Sequence, residues 1–288
     1  VATSNAILYC GAKPVFVDVE PETGLIDANK IEKAITKKTK AILPVHLYGQ
    51  MADMKKIKKI ADKYDLKIIE DAAHAIEARR DGVRPGEIGL AACFSFHVAK
   101  NITAGQGGAL AVNDAAIASE ARLLRRDGVR NVGPFRLMEI LGHKYLMTDF
   151  QAAMLSSQLN RIDRQHKKRE AIYKKYVRSF DGNSKIVFPK TCSNVKHACH
   201  MFVIWVDPGK RDGIREYLGK MGIETSIHYN PIHLEPYYRK TFGYKNEDYP
   251  VAERLGFSTI TLPLHLKLTG AQQDYVIQKV KEAVKKFS

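Results

Sequence analysis

Two short stretches hold residue types that can do covalent chemistry together. Cys93-Phe94-Ser95-Phe96-His97-Val98-Ala99-Lys100-Asn101 runs from an apolar segment toward a glycine-rich turn, Gly105-Gln106-Gly107-Gly108. It delivers a serine and a lysine, Ser95 and Lys100, into that turn. Upstream, Ile68-Ile69-Glu70-Asp71-Ala72-Ala73-His74 ends another apolar segment on an acid, with a histidine close behind. A lysine and an acid at the carboxyl ends of two strands meet the needs of a pyridoxal phosphate (PLP) site. The lysine forms an imine with the cofactor aldehyde, and the acid keeps the pyridine nitrogen protonated. Taken singly, Lys100 also reads as an ordinary loop lysine and Asp71 as a strand-end helix cap. Together they point to the cofactor.

These residues need a scaffold, and the chain reads as alternating strands and helices. Strands are expected at 14–19, 41–47, 66–69, 91–96 and 108–112, and helices at 28–35 and over the face Met54, Ile57, Ile60, Ala61, Tyr64. Apolar strands separated by helices predict a mostly parallel sheet covered on both faces, with ligands bound beyond the strands' carboxyl ends. A second segment follows. A long charged helix is expected over 161–180, ended by Gly182-Asn183-Ser184. Strands at 200–206 and 222–229, a helix at 213–221 and a terminal helix over 269–287 come after it. The expected organisation is a large α/β domain, residues 1–165, and a smaller C-terminal α/β domain, residues 166–288.

With 288 residues, 45% of them hydrophobic, the chain can bury a substantial core. No apolar run nears the roughly 18 residues of a membrane span. Val1-Ala2-Thr3-Ser4-Asn5 shows no secretory signal pattern. Four cysteines (Cys10, Cys93, Cys192, Cys199), scattered without a CxxC pair, suit a reducing cytoplasm. The net charge of +15 raises nucleic acid as a partner. However, the lysines interrupt apolar helical stripes, as Lys55, Lys56, Lys58 and Lys59 do, which is how solvated helix faces look. No nucleic-acid-binding motif accompanies them, and the field suits an anionic small substrate better. Cys192, His197, Cys199 and His200 form a cluster of ligand-type residues, but their spacing fits no common structural zinc pattern. No metal is expected.

The order of several blocks makes the chain resemble the DegT/DnrJ/EryC1/StrS family of PLP-dependent nucleotide-sugar aminotransferases. The blocks are Val1-Ala2-Thr3-Ser4-Asn5-Ala6-Ile7, Ala12-Lys13-Pro14-Val15-Phe16-Val17-Asp18 and Thr39-Lys40-Ala41-Ile42-Leu43-Pro44-Val45-His46-Leu47-Tyr48-Gly49-Gln50. Glu70-Asp71-Ala72-Ala73-His74-Ala75, the Ser95–Lys100 turn, Thr148-Asp149-Phe150-Gln151-Ala152-Ala153, Tyr249-Pro250-Val251-Ala252-Glu253-Arg254 and Leu262-Pro263-Leu264 complete them. The resemblance implies the fold-type I architecture of PLP-dependent transferases. It makes Lys100 the imine lysine, Asp71 the partner of the pyridine nitrogen and Ser95 a phosphate contact. His74 matches the position that meets the cofactor's phenolic oxygen, and His228 and Tyr229 match positions near the nucleotide sugar.

Three departures stand out. The family's opening helices and Gly-Thr phosphate turn do not precede Val1, nor does the aromatic that stacks on the ring, so weak cofactor retention is expected of the chain as it stands. Gly105-Gln106-Gly107-Gly108 replaces the common Gly-Glu-Gly-Gly. Gly142-His143-Lys144-Tyr145-Leu146 replaces a Gly-Tyr-Asn-Tyr-Arg segment whose asparagine reaches the partner subunit's cofactor phosphate; Lys144 can meet that phosphate as a point charge. The implied function is transfer of an amino group from an amino acid, glutamate by expectation, to a nucleotide-linked keto sugar. Cell-surface polysaccharide or related amino-sugar biosynthesis is the implied setting, and a homodimer the implied state. Two alternatives stand beside it. One is the family's sugar dehydratase branch, against which Lys100 argues because histidine replaces the lysine there. The other is a regulatory paralogue that binds but does not transaminate.

Overall fold

The structure, a computed structural model, describes residues 1–287. In chain order its strands are β1 (Ala41–Ile42), β2 (Lys67–Asp71), β3 (Arg79–Arg80), β4 (Ala91–Ser95), β5 (Gly108–Val112), β6 (Val129–Val132), β7 (Phe135–Met138), β8 (Val195–Lys196), β9 (Phe202–Trp205) and β10 (Thr259–Leu262). Its α-helices are α1 (Ala2–Tyr9), α2 (Ala28–Ala34), α3 (Met54–Lys63), α4 (Ala115–Arg125), α5 (Asp149–Leu159), α6 (Ile162–Phe180), α7 (Arg211–Lys220), α8 (Pro236–Phe242), α9 (Pro250–Ser258) and α10 (Gly270–Lys286). No helix among the described residues is long and apolar enough to cross a membrane.

The site stands on one sheet of order β1-β2-β4-β5. β1, β2 and β4 are parallel, with Ala41 opposite Lys67 and Asp71 opposite Cys93. Parallel neighbours need a crossover, and α3 provides one between β1 and β2. The Asp53 carboxylate accepts the Lys56 N–H and starts that helix. Met54, Ile57 and Ala61 are buried, while Lys55, Lys56, Lys58 and Lys59 are exposed, so the lysine run is a solvated face. β5 departs from the expected pattern: it is antiparallel to β4, Ser95 lying opposite Gly108. No helix lies between β4 and β5, so the chain can only double back. The sheet is also not covered on both faces at this edge, where Cys93 and Leu110 are exposed.

Other expected strands are shorter than their apolar runs. Over 14–19 the one pairing is a bridge between Val19 and Ile26. The segment is held instead through Asp18, whose carboxylate accepts the Val251 and Ala252 N–H groups at the start of α9 and pairs with Lys30. Over 41–47 the ladder stops at Ile42 and resumes in a single bridge, Val45 to Asp71; Pro44 between them has no N–H to give. Residues 222–229 contribute one bridge, Ser226 to Thr261. β9 pairs instead with β10. α1 and α5 carry apolar residues around their circumference and show no helical stripe in the sequence.

The two largest buried clusters follow from these elements. Ile31, Ile42, Met54, Ile57 and Ile68 form one around α3 and the sheet. In the other, Tyr173, Tyr176 and Phe180 of α6 meet Phe202, Ile204, Ile260 and Val280. Their spacing along α6 is helical, and each such side chain contributes about 1.5–3 kcal/mol by leaving water. Tyr48 packs with Val203, Trp205 and Leu255, so the two halves share apolar surface.

The strand carrying Asp71 is anchored one residue earlier. Glu70 is wholly buried; its carboxylate accepts from His46 Nε2 (2.8 Å), Gly86 N (3.1 Å) and Gly89 N (2.8 Å). The Ala52 N–H donates to His46 Nδ1, which leaves the imidazole proton on Nε2, facing Glu70. Glu70→Leu strands these donors and should lower stability by about 3–5 kcal/mol in urea unfolding. A loss of about 0.5 kcal/mol or less, the usual surface value, would show the network to be dispensable.

Candidate active site

Asp71 closes β2, and its backbone is held in the parallel ladder: its N–H donates to Pro44 O and its carbonyl accepts from His46 N, both at 2.9 Å. The side chain is thereby pushed out beyond the strand ends. Its Oδ1 accepts the Ala73 N–H (3.0 Å), and its Oδ2 accepts the Thr3 hydroxyl (2.6 Å). Each carboxylate oxygen has capacity for another donor.

Lys100 arrives from the neighbouring strand. β4 ends at Ser95, Phe96 N–H donates to Gly107 O, and Lys100 N–H donates to His97 O. The return to β5 needs glycine: Gly105 and Gly107 have φ of 77° and 148°. A Cβ on Gly108 would lie 2.9 Å from the Phe94 carbonyl oxygen. Burial pulls the Lys100 ammonium below its ordinary pKa, and Asp71 opposes this. The shift favours the neutral amine that a nucleophilic lysine needs. Ser95 lines the same small cavity as Lys100 and His74.

His74, buried beside them, shares a 3.2 Å hydrogen bond with the Tyr229 hydroxyl through Nε2. Burial, then Lys100 and His228, push its pKa down to about 3, so the ring is neutral. His228 and Tyr229 come from the second half of the chain and are joined by a cis peptide bond. The Tyr48 hydroxyl donates to the His228 carbonyl at 2.6 Å, and His228 Nδ1 meets Thr261 Oγ1 at 2.8 Å. Burial and then Lys100 lower the His228 pKa. The Tyr229 hydroxyl is pushed up to about 12, first by burial and then by Asp71, and stays protonated.

Lys100, Asp71, His74, Ser95, His228 and Tyr229 are thus gathered in one place. Lys144 is not. It lies opposite Arg126 in an isolated bridge, largely exposed, with Nζ 3.5 Å from Asp127 Oδ2. Of the cysteine and histidine cluster, His200 turns to Asn101, while His197 receives the Cys199 N–H on Nδ1 and gives its carbonyl to His166. Thr3, Tyr48, Asn101 and His200 are site residues that spacing does not reveal. Thr3 and Tyr48 stand inside quoted blocks, but nothing in the sequence links a hydroxyl to a partner so distant.

The residues fit PLP. Asp71 would accept a pyridinium N–H, the half-buried Lys100 amine would meet the aldehyde, and Ser95, lining the same cavity as Lys100, would offer its hydroxyl to the phosphate. With the sheet described above, this set defines a pyridoxal phosphate-dependent aminotransferase of fold-type I. A match to the DegT/DnrJ/EryC1/StrS aminotransferase family spans residues 1–281, and the chain belongs to that family. It is 38% identical over 284 residues to the GDP-perosamine synthase of Caulobacter vibrioides, covering 96% of this chain and 75% of that protein. PseC of Helicobacter pylori, an aminotransferase in pseudoaminic acid biosynthesis, superposes with a TM-score of 0.95 at 28% identity over 99% of this chain and 77% of its own. Spr1654 of Streptococcus pneumoniae in its PLP form gives 0.93 at 30% identity, covering 99% of this chain and 78% of its own.

The short Thr3–Asp71 bond generates a prediction. A hydrogen bond to a charged group contributes about 1.5–3 kcal/mol. Thr3→Val leaves Asp71 less firmly oriented and should weaken PLP binding by about tenfold or more, since about 1.4 kcal/mol is a factor of ten. Titration of apoprotein with PLP, followed by absorbance, reads this; an unchanged affinity would make Thr3 a bystander.

Proposed function

We propose that the protein transfers an amino group from an amino acid, glutamate, to a keto sugar carried on a nucleotide, supplying amino sugars for a cell-surface polysaccharide or a related product. The observation that carries this reading is the meeting of Lys100 and Asp71 at adjacent strand ends, roofed by His228 and Tyr229. The names of the relatives support the sugar: one is a GDP-perosamine synthase, and another is an aminotransferase involved in pseudoaminic acid biosynthesis. The net charge of +15 suits a nucleotide diphosphate and an acidic donor. The cytoplasm, where nucleotide sugars are made, is the proposed location.

Bound PLP supplies an aldehyde for the amine and a ring that takes up the electron pair left by a departing proton. The protein's part is positioning and proton handling. Asp71 would accept at the ring nitrogen, and Ser95 would hold the phosphate. Lys100, its ammonium destabilised by burial, takes and returns the proton at Nζ. His74 and Tyr229 would lie toward the phenolic oxygen of bound PLP, and His228 with Tyr229 would line the substrate side.

Borohydride reduction of the holoenzyme followed by peptide mapping should place the pyridoxyl group on Lys100, and Lys100→Ala should abolish turnover. A label on another lysine, or an active Lys100→Ala protein, would remove the assignment.

The proposed assembly is a homodimer in which Lys144 approaches the partner's cofactor phosphate. The segment around it is rich in exposed apolar side chains: Phe135, Leu141, Tyr145 and Phe150 are 66%, 81%, 70% and 75% exposed. Such a surface calls for a cover. Light scattering at micromolar concentration should give twice the monomer mass, and an active monomer would sink the idea.

A further inference from the structure

Lys100 stands where its turn passes from water into the protein. Val98 is 65% exposed and Ala99 is exposed, whereas Asn101 and Ile102 are 9% and 1% exposed. Upstream the turn is closed by a backbone bond, Lys100 N–H to His97 O at 2.9 Å. Downstream the hold comes from the next side chain. The Asn101 amide nitrogen donates to Ala198 O (2.8 Å) and to both Glu77 carboxylate oxygens (3.0 and 2.9 Å). Its Oδ1 meets His200 Nδ1 at 3.0 Å. A backbone carbonyl can only accept, which fixes the orientation of the amide. Both ends of the Asn101 amide are therefore spent on buried partners.

These partners come from segments remote from the turn: Glu77 follows β2, and Ala198 and His200 lead into β9. Glu77 is itself buried, with His166 and Arg169 of α6 facing it. Ile102, next along, packs with Phe96, Ala104 and Leu155. Apolar burial sets the depth of the chain there but is non-directional. Hydrogen bonds weaken steeply off their preferred angles. Asn101 thus sets the direction of the backbone from which Lys100 projects.

We infer that Asn101, held by Glu77, is a positioning residue for Lys100: it orients the backbone beside the lysine so that the amine stays half-buried at the cavity it shares with His74 and Ser95. Without that hold the turn is free to swing the long lysine side chain outward, on the side where Val98 and Ala99 meet solvent. Burial is what draws the Lys100 ammonium below its ordinary pKa, with Asp71 opposing. His74, His200 and His228 also face it. Release therefore raises its proton affinity toward the ordinary value of about 10.4 and lowers the fraction of neutral amine. The inference rests on the proposed role of Lys100 as the imine lysine, but its test needs neither cofactor nor turnover.

Competitive acylation of the PLP-free protein across pH, with Lys100 followed by peptide mass spectrometry, reads the titration midpoint of that amine. The wild-type midpoint should lie below the ordinary lysine value. Asn101→Ala and, separately, Glu77→Leu should each move it up to about 10.4. Glu77→Gln keeps an oxygen acceptor for the Asn101 amide and should leave the midpoint at its wild-type value. An ordinary midpoint in the wild type, or an unchanged one in folded Asn101→Ala, overturns the inference. A Glu77→Gln shift equal to that of Glu77→Leu removes Glu77 from it. Should the variants not fold, hydrogen exchange in the 15N-labelled wild type still decides. The Asn101 side-chain amide protons should exchange more slowly than those of exposed Asn131, and equal rates overturn the anchor. The pyridoxyl label on Lys100 is read separately in the holoenzyme, so failure here leaves the aminotransferase assignment standing.

Discussion

The register that sets Asp71 opposite Cys93 is the constraint on which the site depends. Parallel pairing brings the carboxyl ends of β2 and β4 to the same edge. An acid closing one strand and a lysine in the turn after the other then meet without either being on a long loop. A shift of one residue would turn Asp71 to the opposite face of the sheet. The Glu70 carboxylate guards against this, because it binds His46 and the Gly86 and Gly89 amides from two surrounding segments.

Around that edge the protein tunes proton affinity mainly by burial. Lys100, His74 and His228 all sit below their ordinary pKa values, and in each case desolvation is the largest cause. Tyr229 moves the other way for the same reason. The surroundings thus favour neutral groups beside an Asp71 carboxylate held by Thr3 and Ala73, an arrangement suited to a cationic pyridine ring and to proton transfer at an amine.

The second half of the chain completes the site rather than merely adjoining it. Tyr48 grips the His228 carbonyl, Asp18 takes the first amides of α9, and the Tyr238 hydroxyl donates to Ser4 on α1. Each contact joins residues far apart in sequence across the boundary between the buried clusters. The late signature around 249–253 turns out to be structural: Glu253 accepts from the Glu247 and Tyr249 amides and pairs with His233.

Much of this was legible in the residues alone. The apolar runs of β2 and β4, the stripes of α3, α6 and α10, and the placing of Asp71, Ser95 and Lys100 at strand ends follow from local pattern and turn chemistry, which the sequence states directly. What local pattern cannot state is pairing. Whether 14–19 becomes a strand depends on Asp18 finding the start of α9, and 222–229 meets the free edge of β10 at one point alone, Ser226 on Thr261, while β9 takes the other edge as a full ladder. Thr3 on Asp71, Tyr229 on His74 and His200 on Asn101 are contacts between residues many positions apart. Hydrogen bonds of this kind are decided by side-chain geometry within a few tenths of an ångström, and only the packed tertiary structure sets that.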